Sequence, residues 1–246
     1  MSTADDNAGE RPRQGRAEMP RSPAARGTGP GVITQDGCAV DFYALMSARR
    51  EPEIIHEAAG DPDASILELG SGTGRVTGPL TGLGHRVVAI DESPAMLAHI
   101  TSARTVCSRI QDLALDERFD VVLLASHLIN VPGEPERQEL LAACTRHVSR
   151  DGCVIIEQHA PDWFAAAKES ESEADGIVFR LRDVSRPAPD LLSATVEYQV
   201  GERTWTQTFT ARRLTEDQLK ASLATAGLAF DRYLTADRTW LRAIPA

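Results

Sequence analysis

Ile66-Leu67-Glu68-Leu69-Gly70-Ser71-Gly72-Thr73-Gly74 is an apolar run that breaks into three glycines at alternate positions. The run has the length and composition of a buried strand, and the glycines let the backbone turn tightly and approach a ligand with no Cβ in the way. A helix expected to open at Gly74 leaves free N–H donors at its start. Strand, glycine turn and helix together read as a nucleotide-type binding turn. Its spacing separates it from two other turns of that kind. A dinucleotide turn reads G-x-G-x-x-G, whereas here the third glycine falls one residue early and Arg75 follows it. A phosphate-cradling P-loop needs Gly-Lys-Ser/Thr after the glycines, and none follows.

Outward from this stretch, strand-like and helix-like segments alternate. Strands are expected over 65–69, 86–91, 104–108, 119–125 and 153–158. Helices are expected from Gly74, after Ser93 with Pro94 at the first position, and over 136–148. The alternation predicts an α/β, doubly wound, Rossmann-like fold whose parallel sheet is covered on both faces. Past Glu157 the period changes to two. Leu192, Ala194, Val196, Tyr198 and Val200 alternate with polar residues, Gly201-Glu202 offers a tight turn, and 203–210 alternate again. With Ile177, Phe179 and Leu181 as a third strand, residues 176–211 read as a small antiparallel insertion after the fifth strand. A helix over 215–226, with Thr215 and Gln218 as a capping box, and closing strands over 228–234 and 239–244 complete a seven-stranded sheet.

Residues 1–32 carry arginines, prolines and glycines and almost nothing large and apolar, so a disordered N-terminal tail is expected there. The domain then runs over 33–246. Phe42, Leu45 and Met46, and then Ile54, Ile55 and Ala58, predict two short helices before the first strand. Glu169, Glu171, Glu173 and Asp175 are expected in a solvated loop.

The second chemical signal is Asp91, which ends the apolar run Val87-Val88-Ala89-Ile90. A carboxylate at the tip of the neighbouring strand can accept hydrogen bonds from both ribose hydroxyls of an adenosine lying across the first turn. At these residues the chain resembles the class I S-adenosylmethionine (SAM)-dependent methyltransferases. Glu68 to Gly74 is similar to their first motif, and the resemblance implies that Glu68, Gly70, Gly72 and Gly74 hold the methionine part of SAM. Asp91 matches the ribose acid, with Glu92 beside it where many members place an apolar residue against the adenine. Asp112 and Leu113, in Gln111-Asp112-Leu113, match the motif that contacts the adenine, and 119–124, running into Ala125, is similar to the fourth strand. The resemblance implies that SAM is the cofactor, leaving as S-adenosylhomocysteine. The segment around Tyr43, the insertion and the Leu-Thr-Glu-Asp-Gln-Leu helix also look like the amino-sugar N,N-dimethyltransferases of macrolide pathways. In that family the insertion roofs the acceptor.

Ligands of open α/β sheets bind outside the carboxyl ends of the strands, which here carry Ser126, His127 and Asn130, then Glu157, Gln158 and His159. Methyl transfer from a sulfonium is an in-line displacement, so the protein must align two partners and, for a hydroxyl acceptor, remove a proton. His127, His159 and Tyr43 are the candidate catalytic residues. Each histidine can equally be a hydrogen-bonded wall residue, and Tyr43 can be helix packing. The expected reaction moves a methyl group to a nitrogen or oxygen of a small molecule, a specialised metabolite among them. A cyclase or other non-methylating SAM-binding protein, and a C-methyltransferase, stay open as alternatives.

Bulk properties narrow the partners. A chain of 246 residues, 42% hydrophobic, can bury one substantial core. Its net charge of −10 gives no basic footprint for nucleic acid or an anionic membrane, so neither is expected as a partner. No stretch is long and apolar enough to span a bilayer and no signal peptide is recognisable, so a cytoplasmic protein is expected. The four cysteines form no C-x-x-C pair, and no metal is expected. A homodimer is left open.

Overall fold

The computed structural model describes residues 26–246. Two sheets organise the chain. The larger has seven strands: β2 (Ser65–Leu69), β3 (Arg86–Asp91), β4 (Arg104–Cys107), β5 (Phe119–Leu124), β6 (Val148–Glu157), β11 (Leu228–Tyr233) and β12 (Trp240–Pro245). Their spatial order is β11-β12-β6-β5-β2-β3-β4. The five from β6 to β4 run parallel, and β12 joins β6 antiparallel. The seven-stranded, doubly wound sheet expected from the sequence is therefore present. Its central strands are apolar on both sides because both sides are covered. On one face α5 (Glu134–His147) and α7 (Glu216–Thr225) bring Leu140, Leu141, Leu219 and Leu223 onto Leu67, Ile90, Val122 and Val154. On the other, α2 (Glu51–Ala59) and α3 (Thr77–Gly82) set Ile55 and Leu80 against Ile66, Val87, Val121 and Ile155. Among the described residues the remaining short helices are α1 (Val40–Tyr43), α4 (Pro94–Leu97) and α6 (Trp163–Ala166), with a single 3-10 turn over Leu128–Asn130.

The second sheet has five strands in the order β1-β10-β9-β8-β7: β1 (Arg26–Thr28), β7 (Ser170–Ala174), β8 (Ile177–Ala188), β9 (Leu191–Val200) and β10 (Arg203–Arg212). It is larger than the insertion expected over 176–211. Glu171 and Glu173, expected in a loop, lie in β7, where Arg180 of β8 donates from Nε to Glu171 at 2.6 Å. Pairing to β8 and charge neutralisation hold this polar segment as a strand. The N-terminal tail expected over 1–32 is corrected at its end. Residues 1–25 lie outside the described residues, but Arg26–Thr28 pairs antiparallel with Thr206–Thr208 of β10. An edge strand gains ladder hydrogen bonds without needing apolar side chains, which is why composition gave no sign of it.

The helix expected through Met46 stops after one turn at Tyr43. Phe42 of α1 is fully buried against the second sheet, stacked on Tyr198 with ring centroids 3.9 Å apart. Among the described residues no helix is long and apolar enough to cross a membrane.

Candidate active site

The glycine turn leaves β2 and is pinned at once to β3, since the N–H groups of Gly70 and Ser71 both donate to the Ile90 carbonyl, at 2.9 and 2.8 Å. Gly70, Gly72 and Gly74 have φ of 75°, 55° and 84°, in the left-handed region that side chains disfavour. The turn continues to Val76 before α3 begins, later than the helix start expected at Gly74. At Gly74 a Cβ would stand 2.7 Å from Ile100 Cγ1, so that glycine is demanded by packing. At Gly72 a Cβ would meet no protein atom within 4 Å. Gly72 is the open face of the turn.

Asp91 closes the same site from β3. Its Oδ2 accepts the Gly72 N–H at 2.9 Å and its Oδ1 accepts the Ser93 N–H at 2.8 Å. Each carboxylate oxygen offers two lone-pair directions, so each keeps one for a further donor. Burial raises Asp91 above the usual carboxylate range, against the pull of these two N–H groups. Glu68 lies under the turn, buried, with the Thr77 hydroxyl donating to its Oε2 at 2.5 Å. Burial pushes Glu68 up to about 7.

The remaining residues expected at the cofactor are distributed differently. Glu92 and Asp112 stand exposed at the rim with one guanidinium between them: Arg109 is 3.7 Å from Glu92 and 3.8 Å from Asp112. Leu113, in the segment matched to the adenine motif, faces inward. Its side chain is 2% exposed and packs in the core beneath α5, and its N–H is taken by the Ile110 carbonyl. The apolar side chains that do border the turn are Leu128 and Ile110, 3.1 and 3.7 Å from where a Gly70 Cβ would be. Ala125 is buried just past β5.

Beyond the turn, the carboxyl ends of β5 and β6 bring the two candidate histidines face to face. The rings of His127 and His159 stack at 4.0 Å, and His159 stacks in turn on Trp163 at 4.1 Å, with Phe209 of β10 parallel beyond it. Burial lowers His127, while the Glu157 carboxylate partly opposes that. Burial, with His127 alongside, lowers His159 to about 3. Both imidazoles are thus neutral at pH 7. Asn130 braces the pair: its Oδ1 accepts the His159 N–H and its Nδ2 donates to the Arg212 carbonyl of β10, each at 2.9 Å.

Tyr43 is placed apart from that stack. Its hydroxyl donates to Gln207 Oε1 at 3.1 Å, and burial, with Cys38 and Tyr198 near, raises the phenol well above its usual range. Burial thus favours the protonated phenol, which acts here as a donor to Gln207. Its backbone carbonyl accepts the Thr73 hydroxyl at 3.0 Å, which ties α1 to the glycine turn. The residue that sequence reasoning missed is Gln207. It shares a row with Val196 and Leu181 on the face of the second sheet that carries Trp205 and Phe209. A polar residue in the apolar phase of a two-residue alternation was the available signal.

Residues 67–156, from β2 to β6, match the protein family described as a methyltransferase domain. Over that stretch the chain is similar to a methyltransferase domain. Among proteins similar to it is a cypemycin N-terminal methyltransferase of Streptomyces, 28% identical over 144 residues, a match covering 54% of this chain and 59% of that one. The chain therefore spans less than two thirds of that relative's length. In fold it is similar to the sugar N-methyltransferase of Streptoalloteichus, with a TM-score of 0.69, 19% identity and coverage of 89% of this chain and 98% of that one. It is likewise similar to a SAM-dependent methyltransferase of Clostridium acetobutylicum, with a TM-score of 0.68, 15% identity and coverage of 83% and 94%.

Proposed function

We propose that the protein transfers the methyl group of SAM to a nitrogen or oxygen of a small molecule and releases S-adenosylhomocysteine. One observation carries this reading: the glycine turn with Asp91 and the neutral His127–His159 stack occupy the carboxyl ends of the same parallel sheet. Glu68 and the turn from Gly70 to Gly74 hold the amino-acid end of the donor, and Asp91 takes the ribose through its free lone pairs. Glu92 and Asp112 flank the adenine at the rim.

Bound SAM supplies an electrophilic methyl carbon, with its sulfonium as leaving group. The protein's part is to align the acceptor lone pair behind that carbon, exclude water and receive the proton the acceptor loses. His127 is the base, since its imidazole is neutral and it follows β5, the strand next to β2 in the sheet. His159, Trp163 and Phe209 form the acceptor wall, with the inner face of the second sheet as its roof. Solved structures similar in fold include a sugar N-methyltransferase and a glycopeptide N-methyltransferase, so amines are the first acceptors to test. The net charge of −10 supports a small molecule, such as a specialised metabolite met in the cytoplasm, over nucleic acid or a membrane surface.

Calorimetry with SAM and the purified protein, followed by incubation with methyl-labelled SAM and a panel of amines and alcohols, tests the reading. Saturable binding and labelled product with stoichiometric S-adenosylhomocysteine are expected. Absence of SAM binding defeats it.

A further inference from the structure

SAM ends in an amino acid, so binding it brings a carboxylate to the glycine turn, and the turn has little of its own to offer an anion. The Gly70 and Ser71 N–H groups go to the Ile90 carbonyl, that of Gly72 to Asp91, and that of Gly74 to the Ser71 carbonyl at 3.0 Å. α3 begins only at Thr77, beyond the turn. The carboxylate therefore needs a side-chain cation, and Arg75, the residue after Gly74, supplies one. Its Nη1 donates to Glu51 at the start of α2, and the two side chains are 19% and 15% exposed. A guanidinium has further donors on Nε and Nη2. Among the described residues neither has a hydrogen-bond partner, and neither is among the buried side-chain atoms left without one, so both stay open to a ligand. The charge acts on Glu68 beneath the turn and on His127 after β5, which sets the guanidinium between the donor turn and the acceptor wall. Arg109, at the rim, is already flanked by two carboxylates, Glu92 and Asp112, whereas Arg75 has one at hydrogen-bond distance.

We infer that Arg75 is a binding residue for SAM: its guanidinium pairs with the carboxylate at the amino-acid end of the donor, while Glu51 holds it in place from α2. The inference rests on the reading of the glycine turn as the SAM site and gives that site a cation that neither the turn nor Asp91 supplies. One guanidinium can serve both carboxylates, because its donors point in different directions from one rigid plane. Glu68 does not fill the place of the donor's carboxylate, since it is 3% exposed and its Oε2 is taken by the Thr77 hydroxyl. Glu51 is itself tied down, with its Oε2 accepting the Arg49 N–H at 2.6 Å. The cation is thus ordered before the ligand arrives, which lowers the entropy cost of fixing a long side chain on binding.

The experiment is calorimetry with two ligands. One is S-adenosylhomocysteine, and the other is its decarboxylated analogue, S-adenosyl-3-thiopropylamine, which keeps the adenosine, the thioether and the ammonium and lacks only the carboxylate. Wild type should bind the first about tenfold or more tighter, the worth of a hydrogen bond to a charged group. In Arg75→Gln that ratio should fall to near one. Loss of the Glu51 ion pair weakens both ligands alike and cancels from the ratio, which separates carboxylate binding from a merely structural role. Arg75→Lys keeps a charge beside Glu51 without the planar fork, so its ratio should lie between the two, and it gives the same comparison should Arg75→Gln not fold. A ratio near one in wild type overturns the inference with no variant needed, and so does an unchanged ratio in Arg75→Gln. Failure of wild type to bind either ligand is a different result, which defeats the SAM reading and the inference with it.

Discussion

Gly72 and Gly74 lie two residues apart in one turn, with φ of 55° and 84°, yet substitution should act on them through different terms. An alanine at either position pays the left-handed penalty of about 1–2 kcal/mol. At Gly74 the new methyl also stands 2.7 Å from Ile100, against a branched side chain rather than a flexible end. Gly74→Ala should therefore destabilise by about 2–4 kcal/mol in urea titrations, combining strain with overpacking. At Gly72 the methyl enters space that the protein leaves open beside Asp91, so Gly72→Ala should cost only the backbone penalty. Its SAM affinity should instead fall at least tenfold by calorimetry, since the methyl occupies the approach to the turn. Equal losses of stability and equal losses of affinity in the two variants would show that the open face of the turn is not where the cofactor lies. These residues were legible from the sequence because the requirement is on the backbone, and only glycine meets it without cost. Ser126 and His127 carry the same backbone strain with no residue type to announce it, and Glu157, the carboxylate that accepts the Ser126 N–H, is 31 residues away.

Among elements, the second sheet shows what alternation can and cannot reveal. β9 was readable because apolar residues mark every second position and β10 because Trp205, Phe209 and Ala211 share one phase, and Trp205 pairs with Tyr198 where that phase requires. β1 and β7 were not readable. Arg26–Thr28 and Ser170–Ala174 are polar edge strands held by their partners' ladders, and a ladder leaves no mark in side-chain composition. The contact between Tyr43 and Gln207 spans 164 positions and depends on how α1 docks, so it lay beyond any local pattern. Trp205 is the anchor of that docking. It is fully buried, lies 5.6 Å from the Phe42 ring, and donates from Nε1 to the Pro30 carbonyl at 2.8 Å. Trp205→Ala should cost about 3–5 kcal/mol, the range for emptying a large aromatic site. It should also release residues 26–43 before the rest of the chain unfolds, seen as early hydrogen exchange there. Trp205→Phe keeps most of the packing and loses the Pro30 hydrogen bond, so it should fall between. Uniform exchange across the chain in Trp205→Ala would mean that the N-terminal segment is not a separately anchored element.

At the scale of the whole molecule, the buried histidines should set the acid limit of stability. His85, His127, His147 and His159 all have folded values lowered by burial, and His159 is lowered to about 3. Two have polar partners as well: His85 shares a 2.9 Å hydrogen bond with His56, and His147 Nε2 accepts the Leu115 N–H at 3.1 Å. A lowered histidine stays neutral in the folded chain while the unfolded chain binds a proton near pH 6.5, so its stabilisation is intact above that pH and is lost as pH falls. Each such group contributes a slope of up to about 1.4 kcal/mol per pH unit. Glu68 acts in the opposite direction. Its value is raised to about 7, so the folded chain binds that proton first and stability rises as pH falls from about 7 towards 4.5. Asp91 and Glu136, also raised by burial, act in the same direction as Glu68, and against these carboxylates the four histidines should make stability fall as pH drops below about 6.5. His159→Phe separates the contributions, because phenylalanine can retain the stack between His127 and Trp163 while removing one titrating ring. In urea unfolding followed from pH 7.5 to 5, that variant should flatten the slope by about one proton, or roughly 1.4 kcal/mol per pH unit. Glu68→Gln should steepen it over the same range, because it removes the opposing titration while leaving the Thr77 hydroxyl an oxygen to donate to. An unchanged slope in His159→Phe would show that His159 binds its proton equally in both states, and the neutrality of the stacked pair would have to be abandoned with it.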